Sequence, residues 1–425
     1  MNSPEMHDVE VRSLASGGAG IADLPDGRVV FVPRTAPGDR VRIRIVKNKP
    51  RWALGVVESL TQPSPARREP TCELYEECGG CALQHVRYED QLHWKGRFVA
   101  DALQRIGGQS VEAPTVEASP LEARYRNRVT FTLRRLRSGR VIAGFHALDK
   151  RAHVIDVNSE CVLPEPSITT AWTELRASWG PGARLLPAGG RLSLTLRATA
   201  DGVVLVVEGG EAGWDPRALA EATASMHGIW HRPARGNETV LVAGEDAEDQ
   251  WGADRFPVEG QAFLQVNRLA GASLVEHVVA IAGEGAKAVD AYCGVGLYGR
   301  ALVRAGWQVT GIESNPGACR AARMNAPEGL EIREDTVEAA LADSLPADLV
   351  ILNPPRAGIH SDLVPVLLEA KPPRIIYVSC DPATLARDTA ALAAGYDLER
   401  LHAFDLFPQT AHVETVAVFQ VREQD

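Results

Sequence analysis

A multidomain α/β fold is predicted by three changes of pattern along the 425-residue chain. Residues 9–60 run as short strands broken by Gly and Pro, residues 62–260 combine further strands with a cysteine group and one helix, and from residue 261 strands and helices alternate. The expected architecture is a small N-terminal OB-like β-barrel over 1–61, a β-rich central domain carrying the cysteines over 62–260, and a C-terminal Rossmann-like, doubly wound domain over 261–425.

Each element has a local reason. In the first segment VEVRSLA, RVVFVP, DRVRIRIVK and ALGVVESL are separated by GGAG, PDG and PGD, which are turn formers, and TQPSPARREP reads as a linker. VRYEDQLHWKGRFVADALQRIG, residues 86–107, places apolar side chains at helical spacing. RVTFTLRRL, RVIAGFHA, RLSLTLRAT and GVVLVVEG are strands. The last segment alternates AVDAY, QVTGIE, LEIRED, ADLVILN, RIIYVSC and HVETVAVFQV with helical stretches such as LYGRALVRAG, the sign of a mostly parallel sheet.

The formal net charge of −10 argues against a surface coated in positive charge, yet charge is segregated. Eight Lys/Arg face one acid, Asp39, between Arg28 and Arg51, and seven Arg face one acid, Glu122, between Leu121 and Arg140. Two basic stripes with aromatics nearby (Phe31, Trp52, Tyr125, Phe131) fit a nucleic-acid partner, because phosphate contacts supply most of the affinity for one. No run reaches the ~18 apolar residues of a membrane span, and MNSPEMHDVE has neither a basic nor an apolar leader region, so no membrane partner and a cytoplasmic location are expected.

Chemistry concentrates at strand ends. Asp290-Ala-Tyr-Cys-Gly294-Val-Gly296 follows the first strand of the last domain and opens a helix, Glu313 closes the second strand and Asp335 the third. Three acids at successive strand ends suit a nucleoside carrying little negative charge, such as S-adenosylmethionine. Cys380 ends the strand IIYVSC, where it is either a small buried hydrophobe or a nucleophile. Seven cysteines are an odd number, and Cys72, Cys78 and Cys81 fall within ten residues, with Cys161 far downstream. That spacing points to metal chemistry, zinc or an iron–sulfur cluster, the latter favoured by the long first spacing.

GGAGIAD, VPRTAPGDRVRIRI, CELYEECGGCALQH, YRNRVTFTL, FLQVN (263–267), DAYCGVGLYG, LNPPRAG, YVSCDPATLARD and DLFPQTAHVET occur in one order. In that order they resemble the TRAM-domain, iron–sulfur RNA (uracil-5-)-methyltransferases over nearly the whole chain. The resemblance implies Cys380 as nucleophile and Glu414 as general base. It implies Gln265, Tyr292, Leu297, Glu313, Asp335 and Asn353 around the cofactor and base, and a [4Fe-4S] cluster held by Cys72, Cys78, Cys81 and Cys161. It further implies that the helix near 86–112 packs on the catalytic domain, that the chain is a monomer, and that ribosomal RNA is favoured over transfer RNA as substrate. The family usually has Asp where this chain has Asn353, Asn or Thr where it has Leu297, and often Asn where it has Asp381.

Carbon 5 of uracil is a poor nucleophile, so thiolate addition at carbon 6 is needed to push electrons into the ring, and a base must later remove the carbon-5 proton. The helix start after Cys380 is expected to lower its pKa from ~8.5; Phe404 and Phe407 are candidates to stack on the base, although aromatics in such a stretch are more often core packing. Two rivals are weighed: an exocyclic-amine methyltransferase, suggested by N-P-P but needing no thiol, and an RNA-binding protein with an inactive methyltransferase domain.

Overall fold

The computed structural model describes residues 5–422 apart from 151, 159–160, 237 and 258–263. Phe263 of FLQVN and the expected boundary at 260/261 lie outside the described residues.

Met6–Glu10, Ser13–Leu14, Gly20–Asp23, Val29–Val32, Arg40–Asn48 and Trp52–Gln62 form one six-stranded sheet, in which the first strand pairs with the fifth and the fifth with the sixth. Alternation in Arg40–Asn48 buries Val41 and Ile43 while Arg40 and Arg42 face water. The first basic stripe is partly neutralised by acids from outside it: Arg40 meets Glu10 at 3.2 Å and Arg44 meets Glu58 at 2.6 Å.

The central sheet runs, in spatial order, Val240–Gly244, Met226–Arg232, Val203–Glu208, Arg191–Ala198, Arg128–Arg135 and Val141–Gly144. Its inward face, with Phe131, Leu133, Leu194 and Leu196, packs on Trp172 and Leu175 of the helix Pro166–Ser178. Here too part of the basic stripe is structural. Arg135 donates to the carbonyls of Gly182, Ala183 and Pro187, which closes a loop rather than presenting a cation to a partner.

The third sheet has eight strands in the order Leu330–Glu334, Gln308–Glu313, Lys287–Ala291, Leu349–Leu352, Arg374–Ser379, Glu414–Val421, Tyr396–Phe404 and Val116–Glu117. The first five are mutually parallel and Glu414–Val421 is antiparallel to both of its neighbours. The eighth strand comes from far earlier in the chain and pairs with Ala403 and Phe404. The helix Tyr88–Arg105 accompanies it, burying Val99 and Leu103 against Ala386, Ala403 and Val413.

Polar contacts bind the same surfaces. Lys95 and Asp405, both without solvent exposure, pair at 2.6 Å. In the loop 405–412, Gln409 sits at φ 68, and its carbonyl accepts from the N–H groups of Ala82 and Leu83. Its side chain accepts from Arg68 (2.8 Å) and Gln91 (3.0 Å) and donates to the Glu122 carbonyl (3.1 Å). This one residue ties linker, cysteine segment and helix to the catalytic sheet. Among the described residues no helix is long and apolar enough to cross a membrane.

The iron–sulfur expectation is corrected. Among the described residues no group of three or more His, Cys, Asp or Glu side chains is disposed to hold a metal ion. Cys72, Cys78, Cys81 and Cys161 do line one small cavity, with Tyr75 and Leu163, of about 20 Å³. Burial pushes the Cys78 thiol up, that of Cys81 to about 11 and that of Cys161 to about 12. Cys72, Cys81 and Cys161 pack with Tyr75, Tyr125 and Leu163, and Cys78 packs with Ala147 and Ile155. The [4Fe-4S] cluster expected from the cysteine spacing therefore finds no support among the described residues.

What holds this segment instead is Arg34 of the N-terminal sheet. Its guanidinium stacks 3.6 Å from the Tyr75 ring centroid and donates to the carbonyls of Cys81 (2.8 Å), Cys78 (2.7 Å) and Tyr75.

Candidate active site

The parallel strands deliver their ends to one edge. After Lys287–Ala291 the chain turns through Tyr292 (φ 61), Gly294 (φ 58) and Gly296 (φ 79), conformations that favour glycine at the latter two positions. A Cβ at Gly294 would meet no protein atom within 4 Å, so the loop faces open space that a ligand can approach closely. Asp290 points the other way: fully buried, it accepts from Gly299 N–H at 2.9 Å, and burial pushes its carboxyl up to about 7. Of the three acids expected around a nucleoside, it braces the loop from behind.

Glu313 accepts from Gly294 N–H (3.0 Å) and Asn315 N–H (2.7 Å), which joins the glycine loop to the second strand end. Asp335 is exposed beyond the third strand and accepts from Thr336 N–H at 2.7 Å. Asn353 is half-buried after Leu349–Leu352, its N–H donating to the Ala291 carbonyl at 3.2 Å. Tyr292 donates to Glu338 at 3.2 Å and opens, with Pro355, Ile359 and Asp388, onto a cavity of about 750 Å³. The Leu297 side chain packs into the apolar core beside Phe256 and Leu264, leaving only its backbone for the loop.

Gln265 is buried, and its carbonyl accepts from the Asn127 side chain at 2.9 Å. The next residues are anchored as well: Asn267 caps the helix Arg268–Ala280 and donates to Ser119 (3.0 Å), while Arg268 pairs with Glu165 (2.8 Å). The central sheet thus reaches the site through Asn127 and Glu165.

Cys380 ends Arg374–Ser379, half-buried, and Glu414, only 4% exposed, begins the adjacent antiparallel strand. Burial first, then the Glu414 charge, pushes the Cys380 thiol up, and Arg356 pulls it back. This reverses the expected lowering by the helix start. Asp381 occupies the N-cap and takes the N–H groups of Ala383 and Thr384, both at 2.9 Å, so the helix offers its first donors to a carboxylate instead of to sulfur. Glu414 is raised to about 8 by burial, again against Arg356. His412 is lowered to about 4 by burial and by the neighbouring cations Arg356, Arg126 and Lys95.

Of the two aromatic candidates, Phe404 is core, 1% exposed, whereas Phe407 is partly buried and meets His412 edge-on at 5.8 Å. Sequence reasoning gave no role to Arg356 or Gln409. The first stood inside LNPPRAG and the second inside DLFPQT, but only the folded chain reveals what each faces.

The comparisons agree with this geometry. The TRAM domain model matches residues 5–57, and the model described as tRNA (Uracil-5-)-methyltransferase matches residues 335–422, the span that holds Asp335, Asn353, Cys380 and Glu414. An uncharacterized RNA methyltransferase of Gloeobacter violaceus is 36% identical, the match covering 97% of this chain and 96% of that protein. One from Thermosynechococcus vestitus is 34% identical over 97% of each. Among solved structures, Pyrococcus abyssi tRNA (uracil-54, C5)-methyltransferase in complex with S-adenosyl-L-homocysteine is similar at 27% identity and a TM-score of 0.75, covering 97% of this chain and 100% of that one. The chain belongs to the S-adenosylmethionine-dependent RNA (uracil-5-)-methyltransferases, enzymes that methylate carbon 5 of uridine in RNA.

Proposed function

We propose that this enzyme acts on an unstacked uridine of a folded RNA through a covalent bond between Cys380 and carbon 6, with Glu414 as the base that removes the carbon-5 proton. The observation that carries the proposal is the pairing of Arg374–Ser379 with Glu414–Val421, which sets a half-buried thiol beside a buried carboxylate at one sheet edge. S-adenosylmethionine supplies an electrophilic methyl group. Its adenosyl part is suited to Glu313, Asp335, Tyr292, the Leu297 backbone and the open glycine loop, and its methyl end to Gln265 and Asn353. A stacked base cannot reach a thiol at this depth, so the substrate is a loop or a remodelled region. The working division of labour is 1–61 and 62–260 for RNA grip and 261–425 for chemistry, with residues 88–105 and 116–117 lent to the last.

The sequence favoured 23S ribosomal RNA because of the N-terminal TRAM module. The likeness to a transfer-RNA enzyme extends over 97% of this chain, so that module does not discriminate. Mapping 5-methyluridine in both RNA classes from a strain lacking the gene is the test. Loss of one site from 23S ribosomal RNA supports that target, loss from transfer RNA replaces it, and an unchanged map in both sinks the uridine assignment.

Asn353 gives a further prediction. An amide both donates and accepts, so it can meet the N3–H donor and O4 acceptor of uracil together. Wild-type protein is expected to methylate an RNA with U at the target and to leave its C counterpart unmodified. If it binds both substrates but transfers nothing, while Asn353→Asp gains activity, the asparagine is a disabling substitution.

A further inference from the structure

Alternation in the paired strands Arg128–Arg135 and Arg191–Ala198 sends Val129, Phe131 and Leu133 of the first, and Leu192, Leu194 and Leu196 of the second, into the central core. The other side of the pair is polar. Directly opposite one another across it stand Arg134 and Arg191, Thr132 and Ser193, Thr130 and Thr195, and Arg128 and Arg197. Two rows of hydroxyls thus lie between two pairs of arginines.

The fold treats the two ends differently. Arg197 is buried and donates twice to Asp249, at 2.7 and 2.9 Å, so an internal acid answers the cation there. Arg134 and Arg191 are both exposed. Arg134 donates to the Ala152 carbonyl at 2.6 Å, and among the described residues neither guanidinium makes an ion pair. Glu208, an acid on the same face, pairs with Arg232. Like charges opposite one another weaken a strand pair, and two guanidinium forks side by side without an acid suit an anion that bridges them.

Thr130 Oγ1 and Thr195 Oγ1 lie 2.8 Å apart, and Thr132 Oγ1 lies 3.4 Å from His146 Nε2. A hydroxyl donates and accepts without carrying charge, so such rows can follow the sugar hydroxyls and phosphate oxygens of a nucleic-acid backbone. The rows also lead to the catalytic domain. Arg128–Arg135 starts directly after Asn127, whose side chain holds the Gln265 carbonyl at 2.9 Å, and from Asn127 to Arg134 an extended strand covers about 24 Å.

We infer that this face is the track for the RNA that flanks the target uridine, with a phosphate clamped between Arg134 and Arg191 and the backbone running over Thr132, Ser193, Thr130 and Thr195 toward the active site. The inference rests on the RNA grip assigned to 62–260 above and gives it a surface.

The test is binding of a fluorescein-labelled oligouridylate about twenty nucleotides long, followed by anisotropy through a salt series. Arg134→Gln combined with Arg191→Gln is expected to weaken binding about tenfold at low salt and to flatten the slope of log Kd against log salt by about 1. The melting temperature of the free protein should not fall, because a repulsion has been removed. Arg184→Gln combined with Arg217→Gln removes two exposed charges from segments packed on the opposite face, and should leave affinity within about twofold. Unchanged affinity and slope in the first double variant, or an equal loss in the second, overturns the inference. So does displacement of the oligouridylate by inorganic phosphate at constant ionic strength, which would make the arginine pair a free-anion site. Wild-type protein that binds neither the oligouridylate nor RNA from a strain lacking the gene would instead sink the RNA grip itself, so the two failures are distinct.

Discussion

Cys380→Ala is expected to lose methyl transfer by roughly 10⁴-fold or more, the scale on which deleting a nucleophile acts, while S-adenosylmethionine binding stays close to wild type. The two effects separate because Cys380 ends the strand beside the one that begins with Glu414, whereas the glycine loop, Glu313 and Asp335 sit two to four strands away across Leu349–Leu352. Cys380 is half-buried at the end of its strand, so its removal should leave folding stability nearly unchanged. Calorimetric titration with the cofactor and single-turnover transfer to RNA check the two halves. Transfer within tenfold of wild type would show that carbon 5 is activated without this thiol.

Glu414→Gln should fail at a later step and leave a different trace. With the nucleophile intact and no base, carbon 5 retains both its methyl group and its proton, so sulfur cannot depart. A methylated protein–RNA adduct is expected to persist on denaturing gels under single-turnover conditions, and its absence would remove Glu414 from the role.

The same residue also sets a pH dependence. Its folded value, about 8, lies above the ordinary 4.5, so the neutral form suits the fold. That stabilisation is complete below the unfolded value and is lost as pH rises through about 8. Melting temperature in the wild type should therefore fall more between roughly pH 5 and 8 than in Glu414→Gln, whose amide cannot ionise. Equal slopes would mean that the carboxyl is solvated rather than buried.

The strands and helices of the last domain were legible because their signals are local: β-branched runs, Gly and Pro at turns, acids at strand ends. Glu313 and Asp335 could be placed from that pattern alone, and so could Cys380 at the end of IIYVSC. The effect of the helix start on Cys380 was misjudged, since an N-cap carboxylate and a helix dipole are visible in sequence but their competition for the same N–H groups is not. The cysteines show the converse. Their spacing correctly brings four thiols to one place, but whether that place is a ligand shell or a packed corner depends on room and charge, which spacing does not carry. Arg356 and Gln409 were silent because each acts on partners from other segments, and a residue's partners across the fold leave no period in its own neighbourhood.

The eighth strand and the Gln409 junction bear on the order in which the molecule is assembled. Arg68 and Gln409 are 341 residues apart, Gln91 and Gln409 318, and Lys95 and Asp405 310. During synthesis the helix Tyr88–Arg105 and the strand Val116–Glu117 emerge long before the surfaces they cover, and the strand that begins with Glu414 is nearly the last to appear. Closing loops of this length is slow compared with local pairing. The N-terminal sheet and the central sheet can settle first, each on contacts within its own stretch. Glu414 comes beside Cys380 when its strand pairs with Arg374–Ser379, and the early helix and strand then cover that side of the sheet. Synthesis interrupted before residue 414 leaves the two earlier sheets complete and Arg374–Ser379 without its antiparallel neighbour.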